Sequence, residues 1–368
     1  MRRLIRKIGI VLIVILLIRN TCGAESTDLS VSADSAALYV PEAGIFLYTK
    51  NADQRMPMAS TTKIMTALVT IENAELCDTV TVPIEAVGIE GSSAYLRGGK
   101  VLTVEELLYA LMLQSANDVA ATLAYHIGGS IEGFADLMNA KAESLGLRDT
   151  HFTNPHGLDD KEHYTTAREL AIITAEALKN DDLKKIVSTD KITFANDERR
   201  RTYINHNKLL QMYDGCIGVK TGFTKKSGRC LVGASERCNL TFISVTLDAP
   251  NDWSDHKKML DLGYDTLEKT EICSEGEYTY EIPVIGGKSD YLKVTNKTSL
   301  SFIREKSDQE VTANIKLSRY AIAPINAGDI LGEIIFTDGY SEIGRVPLVA
   351  ENSIEKQKQK GFIDKFFH

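Results

Sequence analysis

Three short strings in this sequence hold residue types that can do acyl-transfer chemistry, and they come in a fixed order: Ser60-Thr61-Thr62-Lys63, Ser115-Ala116-Asn117 and Lys220-Thr221-Gly222. Around the first, Ile64, Met65, Leu68 and Val69 fall at helical spacing and predict a helix over Thr61 to Ile71. A serine at the start of such a helix lies near its free N–H groups and positive end, and a lysine three residues on projects from the same face. Ser60 is thereby a candidate nucleophile and Lys63 its candidate base. Ser is also a favoured helix cap, so the pair gains its weight from the other two strings. Ser-x-x-Lys recurs at Ser254 and Ser353 without such a setting. Ser353 lies in a basic tail, and Ser254 reads as the cap of a helix from Asp255 to Leu262.

Ser115 and Asn117 fall between two predicted helices, where Asn117 could simply cap the second. The functional reading makes Ser115 a proton relay to a leaving amine and Asn117 a partner for Lys63 or for a substrate amide. Lys220 and Thr221 lie on a predicted strand. A cation and a hydroxyl there suit a substrate carboxylate, and Gly222 leaves room for a substrate backbone to approach. Lys-Thr-Gly occurs once in the chain. The ordered trio is far more specific than any of its members.

The elements that must carry these residues are legible in outline. Residues 36–48 read as a β-hairpin around Pro41 and Gly44, and Thr103 with Glu106 forms a capping-box pattern before LLYALML. Further helices are expected from about Asp118 to His126 and from Thr166 to Leu178, the latter after an Asn154-Pro155-His156-Gly157 loop. Strands then follow at Ile217 to Phe223, Arg229 to Ala234 and Leu240 to Leu247, an antiparallel meander. Strands, helices, then strands again predict an α/β (α+β) domain whose first and last strands share one sheet. From residue 273 alternating segments such as EYTYEIPV, VTANIKL and ILGEIIF replace helical periodicity, predicting a small all-β domain over 273–350.

The ends read differently. Arg2, Arg3, Arg6 and Lys7 precede an eleven-residue apolar run, Ile8 to Ile18, then small residues to Ala24. That pattern is a signal peptide over 1–24, too short to span a bilayer, and it makes the chain exported. The catalytic domain is then 25–272, and residues 351–368 form a basic tail with Phe362, Ile363, Phe366 and Phe367 on one face if helical. Net charge is −8, so nucleic acid is not an expected partner. Six cysteines show no metal-ligand spacing and are expected as small core residues, with no metal and no cofactor.

The three strings resemble the signature of active-site-serine penicillin-recognising enzymes. The longer stretches MPMASTTKIMTAL, LLYALMLQSANDVA, FTNPHGL, NHNKLL and GVKTGFTKKSGRCLVGA are similar to those of low-molecular-mass D-alanyl-D-alanine carboxypeptidases, over about residues 30 to 350. The resemblance implies a transpeptidase/β-lactamase-like catalytic domain followed by a small β-domain. It implies that Ser60 attacks the penultimate D-Ala carbonyl of a peptidoglycan stem peptide, and that β-lactams acylate the same residue. It further implies an oxyanion hole from the Ser60 and Phe223 N–H groups, and a tail that makes weak, peripheral contact with the outer face of the bacterial cytoplasmic membrane.

For Lys63 to accept a proton it must be neutral, and burial and the nearby Lys220 both favour that. Relatives often have Arg where this chain has His206, which is cationic only when protonated. A class A β-lactamase would deacylate with an extra Glu; Glu169 is the residue in the corresponding stretch, and a first-turn helix acid is the simpler account of it. A cross-link-cleaving endopeptidase would use the same residues as a carboxypeptidase, and a non-catalytic peptidoglycan-binding scaffold would not need all three motifs intact.

Overall fold

The computed structural model describes residues 12–13, 29–195, 200–306, 310–339 and 341–358; the rest of the expected signal peptide and the end of the tail lie outside them. Two compact units emerge, Gly23–Asp265 and a second from Thr266 onward. The first is built on strands β1 (Ser35–Val40), β2 (Ile45–Lys50), β3 (Cys216–Thr224), β4 (Gly228–Arg237) and β5 (Leu240–Leu247). They pair antiparallel in the order β2-β1-β5-β4-β3. The β1–β5 pairing, with Ile243 opposite Tyr39, joins the N-terminal hairpin to the meander as expected. It leaves β3, the strand of Lys220, on an edge of the sheet.

Alternation along β5 explains why helices cover both faces. Ile243, Val245 and Leu247 belong to the main core with helices α1 (Lys63–Asn73), α2 (Val104–Leu113), α3 (Asn117–Gly128), α4 (Ile131–Ser144), α5 (Ala167–Ala177) and α6 (Asp181–Ser188). The intervening Phe242, Ser244 and Thr246 face α7 (Asp252–Thr266). There a Cβ on Gly263 would lie 2.6 Å from the Phe242 ring, so the glycine sets how closely α7 packs. The capping box at Thr103 is present: its hydroxyl accepts from Glu106 N at 3.1 Å, and Thr103 N donates to Glu106 Oε2 at 3.0 Å.

Four expectations are corrected. Helix α1 starts at Lys63, and Ser60 sits in a preceding 3-10 turn, Ala59–Thr62. Ser254 is inside the first turn of α7, because the helix begins at Asp252. Asn117 is the first helical residue of α3, with Ala116 at the cap position and no side-chain cap bond. Of the five described cysteines, all unbridged, Cys77 and Cys238 are exposed rather than core residues.

The second unit is all β: β6 (Leu267–Cys273), β7 (Thr279–Ile285), β8 (Tyr291–Asn296), β9 (Leu300–Glu305), β10 (Thr312–Leu317), β11 (Ala321–Ile322), β12 (Ile330–Thr337) and β13 (Glu342–Ala350). Six of them form a sheet in the order β10-β12-β13-β8-β7-β11, around a core including Ile282, Leu292, Phe336 and Leu348. β6 and β9 pair separately, with Leu12–Ile13 beside β9.

Candidate active site

The Ser60 turn is held in an unusual conformation by its neighbours. Ala59 has φ +49, a region that L-residues seldom occupy and that persists only where the surroundings enforce it. The Ala59 carbonyl accepts from Thr62 Oγ1 at 2.7 Å and lies against Gly157, where a Cβ would come within 1.9 Å of it. Thr62 Oγ1 in turn lies 2.8 Å from Nε2 of buried His163. Thr153 N donates to His163 Nδ1 at 3.1 Å, so Nδ1 carries no proton and Nε2–H donates to Thr62. Burial and this arrangement keep His163 neutral, with its pKa pushed down to about 4, burial being the main cause.

Lys63 is completely buried, and its Nζ reaches Ser60 Oγ at 2.9 Å, Asn117 Oδ1 at 2.7 Å and the His156 carbonyl at 2.6 Å. The Asn117 amide is fixed in this orientation because its Nδ2 donates to Glu90 O at 2.5 Å. Asn117 Oδ1 and His156 O can only accept. A neutral lysine amine has two N–H donors and one lone pair, so those two acceptors consume both donors and turn the lone pair towards Ser60. Burial, then the nearby Lys220, hold the Lys63 pKa well below its ordinary value, and Asp118 opposes them.

The Asn154-Pro155-His156-Gly157 loop brings the His156 carbonyl to Lys63. Asn154 Oδ1 accepts from Gly157 N at 2.7 Å and His156 N at 3.3 Å, while Thr66 Oγ1 of α1 donates to Pro155 O at 2.6 Å. Asp118 does the same for the segment 92–96, which precedes α2. Its carboxylate accepts from Ser93 Oγ at 2.7 Å, Ala94 N at 3.0 Å and Leu96 N at 3.0 Å, and Asn117 N donates to Ser92 O. Ser115, at φ +60, is presented between α2 and α3.

Ser60, Ser115, Thr221, Gly222, Phe223 and His206 line one cleft of about 440 Å³, together with Arg229 and Trp253. Lys63, Asn117 and Lys220 stand behind this surface, each under 5% exposed. Lys220 Nζ donates to Thr221 O at 3.0 Å, and burial lowers its pKa to about 7. A Cβ on Gly222 would meet Ser60 N, Thr61 N and Ala59 Cβ at 3.0 to 3.2 Å. The space that Gly222 leaves is thus occupied first by the Ser60 turn. His206 is exposed at the cleft surface, and partial desolvation, then Lys220, push its pKa down. Glu169 is the first-turn acid of α5, as expected: Arg148 N, Asp149 N and Thr150 Oγ1 occupy its carboxylate at 2.6 to 3.0 Å, and it does not line the cleft.

The structure brings the eight residues expected from the sequence to one place, and shows in addition His163, Asn154 and Asp118, which hold the turns and loops that carry them. Asp118 had a readable signal, an acid in the first turn of a helix directly after a motif. His163 had none.

A serine on a constrained turn, a buried lysine oriented towards it and an edge strand alongside, on a sheet covered by helices, form an arrangement that can carry out serine acyl transfer. Comparison with known proteins agrees. A family model described as D-alanyl-D-alanine carboxypeptidase matches residues 21–251, and one described as penicillin-binding protein 5, C-terminal domain, matches 267–356. The D-alanyl-D-alanine carboxypeptidase DacF of Bacillus subtilis is 31% identical over 352 residues, covering 93% of this chain and 90% of its own. Penicillin-binding protein 5 from Haemophilus influenzae superposes with a TM-score of 0.65 at 28% identity, over 89% of this chain and 98% of that one. The Streptomyces K15 DD-transpeptidase gives 0.61 at 35% identity, over 64% and 98%. The chain belongs to the D-alanyl-D-alanine carboxypeptidase family of serine peptidases.

Proposed function

We propose that Ser60 is the nucleophile that removes the terminal D-alanine from peptidoglycan stem peptides, with Lys63 as its base. The observation that carries this reading is the 2.9 Å contact between Lys63 Nζ and Ser60 Oγ, on a lysine whose other two partners can only accept. Ser60 Oγ bonds to the penultimate D-Ala carbonyl carbon as its proton passes to Lys63 Nζ. The C–N bond then breaks, and Ser115 relays the proton to the departing D-alanine amine. Water, deprotonated by Lys63, attacks the acyl-enzyme and restores the Ser60 hydroxyl. The Ser60 and Phe223 N–H groups stabilise the oxyanion, and Lys220 with Thr221 receives the terminal carboxylate. β-Lactams enter the same path, their ring amide opening on Ser60.

In this reading the enzyme is exported through residues 1–24 and works outside the cytoplasmic membrane, held to its surface weakly by the basic, Phe-containing tail 351–368. No described helix is long and apolar enough to cross a membrane. Incubation with a pentapeptide ending in D-Ala-D-Ala should release D-alanine. A Ser60→Ala chain that released it at the parent rate would overturn the assignment. For the tail, a chain ending at Glu351 should lose the co-sedimentation with anionic vesicles that the longer chain shows at low salt.

A further inference from the structure

The second unit carries an apolar strip that its own core leaves uncovered. Along β7 and β8, Ile282, Leu292 and Val294 point inward and are at most 3% exposed. Side chains alternate across a strand, so the residues between them face out. Pro283 of β7 pairs with Tyr291 of β8, and Ile285 of β7 pairs in parallel with Ile322 of the edge strand β11. Ile285, Tyr291 and Ile322 are 53%, 64% and 66% exposed. A single exposed isoleucine needs no explanation, whereas outward apolar residues paired across adjacent strands, Pro283 with Tyr291 and Ile285 with Ile322, mark an interaction surface.

The chain's own C-terminal segment leaves beside this strip. Gln357 N donates to Gly286 O at 2.8 Å, Lys288 N donates to Glu355 O at 2.9 Å, and Gly287 bridges to Lys356. Ten residues follow Lys358, among them Phe362, Ile363, Phe366 and Phe367. Lys288, Lys356 and Lys358 are exposed around the exit, with Lys288 paired to Glu355 and Asp290 also nearby in sequence; Lys360 and Lys365 come after. Isoleucine with tyrosine, beside a segment rich in lysine, is a composition that settles at a lipid headgroup boundary.

We propose that the strip around Ile285, Tyr291 and Ile322 lies on an anionic lipid surface and forms one contact with the segment that leaves beside it. The proposal rests on the reading of the tail as an anchor and extends the contact to the folded domain. The test is co-sedimentation of the chain lacking residues 1–24 with vesicles of equimolar phosphatidylglycerol and phosphatidylethanolamine. Three variants are compared with it: Ile285→Glu/Ile322→Glu, the milder Ile285→Thr/Ile322→Thr, and a chain ending at Lys358. A circular dichroism spectrum and thermal transition matching the parent's report correct folding of the second unit, and penicillin acylation at parent rate reports that of the first.

The Glu pair should weaken binding about tenfold or more and the Thr pair less, a tenfold change being about 1.4 kcal/mol. The chain ending at Lys358 should keep weak, salt-sensitive binding that the Glu pair abolishes. Parent-like affinity of both double variants overturns the proposal, even if truncation alone abolishes binding, an outcome that leaves the tail reading standing. Unchanged binding after truncation, lost with the Glu pair, sinks the tail reading and keeps the strip. A parent chain that dimerises through the strip and ignores vesicles assigns the surface to a second copy and overturns the proposal.

Discussion

Gly222 stands so close to Ser60 that a Cβ on the glycine would lie 3.0 Å from the Ser60 amide nitrogen. That amide is a proposed oxyanion donor, so the strand carrying Lys220 and the turn carrying the nucleophile are fixed against each other at the atom that must not move. Gly222→Ala should fold, because the contact is at a cleft wall, but should shift the turn by a few tenths of an ångström. Acylation by penicillin should slow on the order of 10²-fold or more, the usual effect of a displaced oxyanion donor. A stopped-flow acylation rate equal to the parent's would show that the close approach has no bearing on the reaction.

Lys63 and Lys220 should together give kcat/KM a bell-shaped dependence on pH. Lys63 acts when neutral, so activity rises as pH passes its depressed pKa. In its proposed role Lys220 reads a carboxylate when protonated, and burial lowers its pKa to about 7, so recognition should fade as pH rises through that value. Amidating the substrate carboxylate should remove the alkaline limb, and Lys220→Ala should do so as well. An alkaline limb that survives in both would assign it to another group.

His206 should be neutral at pH 7, because partial desolvation and Lys220 both lower its pKa. His206→Arg places a permanent cation in the cleft, so KM for a D-Ala-D-Ala peptide should fall, most visibly above pH 7, with kcat changed less. Steady-state kinetics across pH test this, and a raised KM would count against an electropositive role at this position.

His163 should limit acid stability. Its folded pKa, about 4, lies below the ordinary 6.5, so the folded state binds fewer protons than the unfolded one in that interval. The stability is complete above pH 6.5 and is lost as pH falls through 4, by at most about 3 kcal/mol for a shift of this size. His163→Gln should flatten the fall of Tm with acidification. It should also slow acylation several-fold at pH 7, since the hold on Thr62 is altered. An unchanged Tm profile would mean that His156 and His256, held to about 3, carry the acid sensitivity.

Much of the site was legible because its chemistry is written in short local strings, while what positions the strings is not. Ser60 and Lys63 are three residues apart, but the His156 carbonyl that orients Lys63 comes from 93 residues away and is backbone, which no side-chain pattern reports. Helix α6 was missed because only Leu183, Ile186 and Val187 are buried in its eight residues, too short a stripe to read as periodic. In α4, Gly133 in the first turn weakens the helical signal, although Ser130 caps it. The meander and the capping box were read correctly, since both depend on neighbours in sequence.

The central claim is that Ser60, activated by Lys63, carries the acyl group. Peptide mapping by mass spectrometry after reaction with benzylpenicillin tests it most directly, in the parent, Ser60→Ala and Lys63→Ala. The adduct should sit on Ser60 alone, be absent from Ser60→Ala, and form on Lys63→Ala at least about 10²-fold more slowly. An adduct on Ser254 or Ser115, an adduct that persists in Ser60→Ala, or parent-rate labelling of Lys63→Ala would contradict the account.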